Sequence, residues 1–206
     1  EEGREQAQER VQEMLGNQTM NQSGNQTMTQ TQNQAGTQMK AQNATQAREM
    51  VQQKEQEFAG EMNQVREEVK SVYQNQNRVR LAVHAFLSME DLVGGIGPNV
   101  SAIAKEFNNS VQATIMAEEK IQTRSGFMKF LFGGDENAAA ELSNETAQNQ
   151  VRIQQLNQLM NQCECDAEAK AMVQEQIQNL EMEQTRLQEL AQNETKSKGL
   201  LGWIFK

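Results

Sequence analysis

Apolar residues recur along this chain at the alternating four- and three-residue spacing of packed helices. Phe58, Met62, Val65, Val69, Val72, Gln76, Val79, Val83, Phe86, Glu90 and Val93 keep that spacing without a break, and nine of the eleven are apolar. A seam sustained this long predicts a helix of coiled-coil type. Taken from about residue 38 to residue 93 it would run about 80 Å. Gly94-Gly95-Ile96-Gly97-Pro98 then stops it, with glycines past the end and a proline unable to continue the ladder. Val100, Ile103, Phe107, Val111, Ile115 and Ile121 predict a second helix ending near Gly126. Leu142, Thr146, Asn149, Ile153, Leu156 and Met160 mark a third, and Val173, Ile177, Leu180, Gln184, Leu187 and Ala191 a fourth. Short connections between facing helices imply antiparallel packing. The expected fold class is therefore all-α: an elongated antiparallel helical bundle or coiled coil over residues 47–196, with one very long helix.

The ends of the chain break the pattern. Residues 2–15 predict a short helix stopped by Gly16, giving a first segment, 1–16. Residues 17–46 form a tetrapeptide repeat in which Gln recurs at 18, 22, 26, 30, 34, 38, 42 and 46. A period of four suits a slowly winding stripe on a helix, or one face of a strand. Too little apolar surface is present to order such a segment in isolation. Residues 197–206 form an apolar tail. Its Leu200, Leu201, Trp203, Ile204 and Phe205 pair in character with the insert Phe127-Met128-Lys129-Phe130-Leu131-Phe132. Phe127, Phe130, Leu131, Phe132 and the five tail residues are the expected assembly contacts, because apolar patches on a solvated bundle mark association or membrane contact. Packing of the two segments on each other is the plainer alternative.

Composition narrows the chemistry. About 30 residues are glutamine and only Pro98 is proline, a balance that favours long hydrated helices. A net charge of −9 and an isoelectric point near 4.8 argue against nucleic acid as a partner, since phosphate neutralisation needs clustered Lys and Arg. No apolar run reaches the roughly 20 residues of a membrane span. The lone histidine, His84, adjoins the seam and reads as a packed side chain rather than a catalytic base. No catalytic, metal or cofactor motif is expected.

Eight Asn-X-Ser/Thr sequons occur, at Asn17, Asn21, Asn25, Asn43, Asn99, Asn108, Asn144 and Asn193, where chance would give roughly two. They point to N-linked glycans and an extracellular or cell-surface setting, with those asparagines facing solvent. A first residue other than methionine suits a processed or trimmed terminus. Cys163 and Cys165, as Cys-Glu-Cys at a helix turn, would form a disulfide in that setting. Bridges between subunits and a soft-metal thiolate pair are the alternatives.

The stretches GGIGPNVSAIAKEFNNSVQATI, FMKFLFGGDENAAAE, CECD and EQTRLQELAQNETKSKGLLGWIF resemble a family of uncharacterised secreted surface proteins of methanogenic archaea, over roughly residues 47–206. The resemblance implies an archaeal cell surface and an N-glycosylated product, and carries no activity with it. Together these readings predict a self-assembling structural protein, not an enzyme, that polymerises with itself. Membrane-surface anchoring through the tail is the second choice.

Overall fold

The structure, a computed structural model, describes residues 40–200. The short N-terminal helix and most of the Gln repeat lie outside the described residues, as do Leu201, Trp203, Ile204 and Phe205 of the tail. The described residues form helices joined by turns, with no strand among them: α1 Ala44–Glu61, α2 Lys70–Ser88, α3 Gly97–Thr123, α4 Gly126–Phe132, α5 Glu136–Met160 and α6 Ala167–Lys196.

Local chemistry sets most of these boundaries. Asn43 caps α1 by accepting from the Gln46 backbone N–H (2.9 Å), Asp135 caps α5 from Ala138 (3.0 Å), and Asp166 caps α6 from Ala169 (2.8 Å). Each satisfies an N–H that the first helical turn leaves unpaired. Pro98 opens α3 rather than merely closing its predecessor, since its missing N–H costs nothing in a first turn. Gly97 is required at the approach to that helix, because a Cβ there would overlap the Glu90 carbonyl.

The single helix expected between residues 38 and 93 is instead two. After Glu61 the chain passes through the 3₁₀ turns Met62–Gln64 and Glu67–Val69, with Val65 and Arg66 extended between them. The break lets α1 fold back along α2. Phe58 is thereby buried, with the Arg80 guanidinium 3.8 Å from its ring centroid. Arg80 also donates to Glu61 at 2.8 Å, a half-buried ion pair joining the two helices. A cation over an aromatic face contributes about 1 kcal/mol, to which burial of the ring adds. Gly60 and Asn63 make the intervening helix weak, so the tertiary contacts decide.

Helices α2, α3, α5 and α6 close a ring: α2 touches α3 and α6, and α5 touches α3 and α6. Ser71 at the start of α2 bonds Gln122 at the end of α3 (3.0 Å), as antiparallel neighbours must. Between them Val72, Val79, Phe86, Phe107, Leu142, Ile153, Leu156, Leu180 and Leu187 are buried, so the seams of these four helices form the core, whereas Met62, Val65 and Glu90 of the first seam are half-buried. Near the α4 end the core tapers to Ala117, Ile121, Ala138, Leu142, Leu187 and Ala191.

Candidate functional site

Two features of this bundle go beyond stable packing. The first is at the end where α3 stops and α5 begins. Ser125 caps α4 by accepting from the Met128 N–H (3.2 Å). The tail returns to meet this short helix: the Leu200 N–H donates to the Phe130 carbonyl (2.9 Å), and the Gly134 N–H to the Ser197 carbonyl (2.8 Å). Gly133 and Gly199 pack backbone to backbone, with Gly133 at a φ of 84° that favours glycine. Lys129 pairs with Glu194 (3.1 Å), whose other oxygen accepts from the Asp135 N–H (2.9 Å). Backbone bonds thus join the described part of the tail to the insert, while the side chains of Phe127, Phe130, Phe132 and Leu200 stay out. Phe127 is 68% exposed, Phe130 61%, Phe132 45% and Leu200 57%. Leu131 is half-buried.

The second feature is a polar layer inside the ring. Gln76 Nε2 donates to Glu183 Oε1 (3.3 Å), and the Thr114 hydroxyl donates to Gln76 Oε1 (3.3 Å). Asn149 Nδ2 donates to Gln184 Oε1 (3.2 Å), and its Oδ1 accepts from Ser110 (3.1 Å) and Arg152 (2.6 Å). Arg186 forks onto Glu118 (2.6 and 2.7 Å) and onto Glu183 (2.9 and 2.7 Å). Burial pushes the Glu118 carboxyl above the usual range, against the pull of Arg186. For Arg186 burial acts downward, but Glu183 and Glu118 outweigh it and hold the guanidinium above its ordinary value. Gln76, Asn149 and Gln184 stand in the sequence seams. Glu118 was also within reach, being the next position at seam spacing after Val111 and Ile115. Glu183 and Arg186 carry no such signal.

The remaining expected residues are dispersed. Asn43, Asn99, Asn144 and Asn193 are exposed and Asn108 is half-buried; Asn17, Asn21 and Asn25 lie outside the described residues. The hydroxyl two positions on is exposed at Thr45 and Thr195 but buried at Ser101, Ser110 and Thr146. Asn99 borders an open groove of about 380 Å³ between α3 and α5, lined also by Ile103, Glu106, Gln155 and Leu159. Cys163 and Cys165 are bonded to each other in the α5–α6 turn. His84 is half-buried beneath α1 and bonds the Met50 backbone; burial first, then Lys54, lowers its pKa. Among the described residues no helix is long and apolar enough to cross a membrane, and no cluster of His, Cys, Asp or Glu has the makings of a metal site.

Compared with known protein families, curated proteins and solved structures, the chain finds no match.

Proposed function

We propose that this is a structural, self-assembling extracellular protein, a surface filament or matrix subunit rather than an enzyme, whose bundles meet through the aromatic end. The exposed side chains of α4 and Leu200 carry this reading. At their exposed fractions the three phenylalanines leave roughly 260–430 Å² to cover, and with Met128 and Leu200 they supply about half to two thirds of the roughly 800 Å² per partner of a stable interface. The exposed large apolar residues of this cluster share one end. Among the described residues the opposite end carries Lys40 paired with Glu90 and Asp91 and none of the exposed large apolar side chains. Like ends meeting about a two-fold axis satisfy the patch without an apolar seat there. Growth beyond a pair then needs another surface, for which the Gln repeat is the natural candidate. The sequons and the archaeal resemblance support a glycosylated, cell-surface setting.

Deleting residues 199–206 together with Phe127→Ser, Phe130→Ser and Phe132→Ser should leave helicity intact and abolish large particles in sedimentation. Particles that persist would overturn the reading. Membrane-surface anchoring is the second reading, favoured by the same one-sided cluster with Lys129 and Lys198 at its edge. Flotation with liposomes would select it, whereas a protein-only assembly stays at the bottom of the gradient.

A further inference from the structure

Cys163 and Cys165 close their disulfide across a single residue. A cross-link stabilises a fold chiefly by the loop it removes from the unfolded chain, and that effect is smallest for the shortest loops. The turn is also held without the bond. The N–H groups of Asn161, Gln162 and Cys163 donate to the carbonyls of Asn157, Leu159 and Met160, and Asp166 caps α6. Beneath the turn Met160, Ala169, Met172 and Val173 are buried. The bond thus sits where it contributes least to stability, and both cysteines are half-buried rather than enclosed.

Its two sulfurs have different surroundings. Cys163 Sγ lies 3.7 Å from the Val93 carbonyl oxygen. In the disulfide that sulfur has no proton to give, but as a thiol it would find an acceptor in place. Cys165 directly precedes Asp166, the cap of the 30-residue α6, so its own thiolate, once released, lies at the positive end of a long helix, while the Val93 carbonyl oxygen beside Cys163 turns an incoming thiolate toward Cys165. Glu164, Asp166 and Glu168 lie exposed around it, Glu168 being paired with Arg48.

We infer that Cys163–Cys165 is a redox-active disulfide that oxidises external thiols, with Cys165 the sulfur attacked. An external thiolate forms a bond to Cys165 Sγ while the Sγ–Sγ bond breaks. Cys163 leaves as a thiolate, takes up a proton and donates its S–H to the Val93 carbonyl. A second external thiolate then attacks the external sulfur of this mixed disulfide, releasing Cys165 to be protonated in turn. Two thiols become one disulfide, and two electrons and two protons pass to the cysteine pair. The acidic surround selects the donor: neutral and cationic thiols approach more readily than anionic ones.

The test exposes the oxidised full-length chain to cysteamine, mercaptoethanol and glutathione at equal thiolate concentration, with alkylation and mass spectrometry as readout and circular dichroism alongside. The disulfide should open with helicity unchanged, and cysteamine should outpace glutathione about tenfold at low salt, the gap shrinking as salt rises. With cystamine supplied as the oxidant, the Cys163→Ser thiolate should displace cysteamine and form a mixed disulfide at Cys165, several-fold faster than Cys165→Ser forms one at Cys163. A bond that opens only on unfolding, or single variants of equal reactivity, would overturn the inference. Neither outcome bears on whether the bundles assemble.

Discussion

The middle of this bundle and its α4 end invert the usual distribution of side chains. In the middle, Glu118 and Glu183 are almost completely buried and Arg186 largely so. At the end, phenylalanines stand in water. The difference teaches that burial here follows place in the assembly of helices rather than hydropathy. In the ring the layer bonds from helix to helix, Thr114 to Gln76, Gln76 to Glu183, Ser110 to Asn149, Asn149 to Gln184 and Arg186 to Glu118, which favours one alignment of α2, α3, α5 and α6 over slipped ones. At the end the backbone of α4 and Leu200 bonds within the chain while Phe127, Phe130, Phe132 and Leu200 stay exposed.

The sharpest way to break the contrast is Arg186→Met. It strands two buried carboxylates, and unfolding by denaturant should show a loss of about 3 kcal/mol, the lower part of the range for a buried pair because Arg186 is partly exposed. Adding Glu118→Gln and Glu183→Gln to it should recover most of that loss, since uncharged groups no longer need the guanidinium. Gly97→Val comes next. Overlap with the Glu90 carbonyl forces the α2–α3 connection apart, at a cost of about 2 kcal/mol that the same denaturation reads. The triple serine variant of Phe127, Phe130 and Phe132 should change monomer stability by no more than about 0.5 kcal/mol while changing particle size, which separates the end from the middle. The smallest effect concerns pH. His84 has its pKa lowered in the fold, so the unfolded chain binds more protons below its ordinary value of 6.5 and stability falls as pH drops beneath that value. Glu118 is raised, so it opposes this loss as pH falls toward 4.5. The gap in stability between wild type and His84→Gln should therefore widen in favour of the variant below pH 6.5.

The sequence made the helices legible because heptad spacing is a local property. Val100 to Ile121, Leu142 to Met160 and Val173 to Ala191 became α3, α5 and α6 with their seams inward. The break at residues 62–69 was not legible, because Met62, Val65 and Val69 keep the four-three spacing through it. The contacts made after the chain has turned back, Phe58 with Arg80, Arg80 with Glu61 and His84 with the Met50 backbone, decide against a straight helix. The polar layer was half visible. Gln76, Asn149 and Gln184 read as isolated lapses in three separate seams, and their meaning comes from meeting at one level. The aromatic insert was conspicuous from composition, but its union with the tail rests on backbone bonds and two glycines, which no hydropathy pattern encodes.

The buried hydroxyls of Ser101, Ser110 and Thr146 turn the sequons into a record of timing. An oligosaccharide-transferring enzyme must reach the hydroxyl two residues beyond the asparagine it modifies. Around Asn43 and Asn193 that group remains at the surface of the finished bundle. Around Asn99, Asn108 and Asn144 it is sealed once the helices close. A sugar on any of these three would have been attached before the chain folded, whereas one on Asn193 would carry no date.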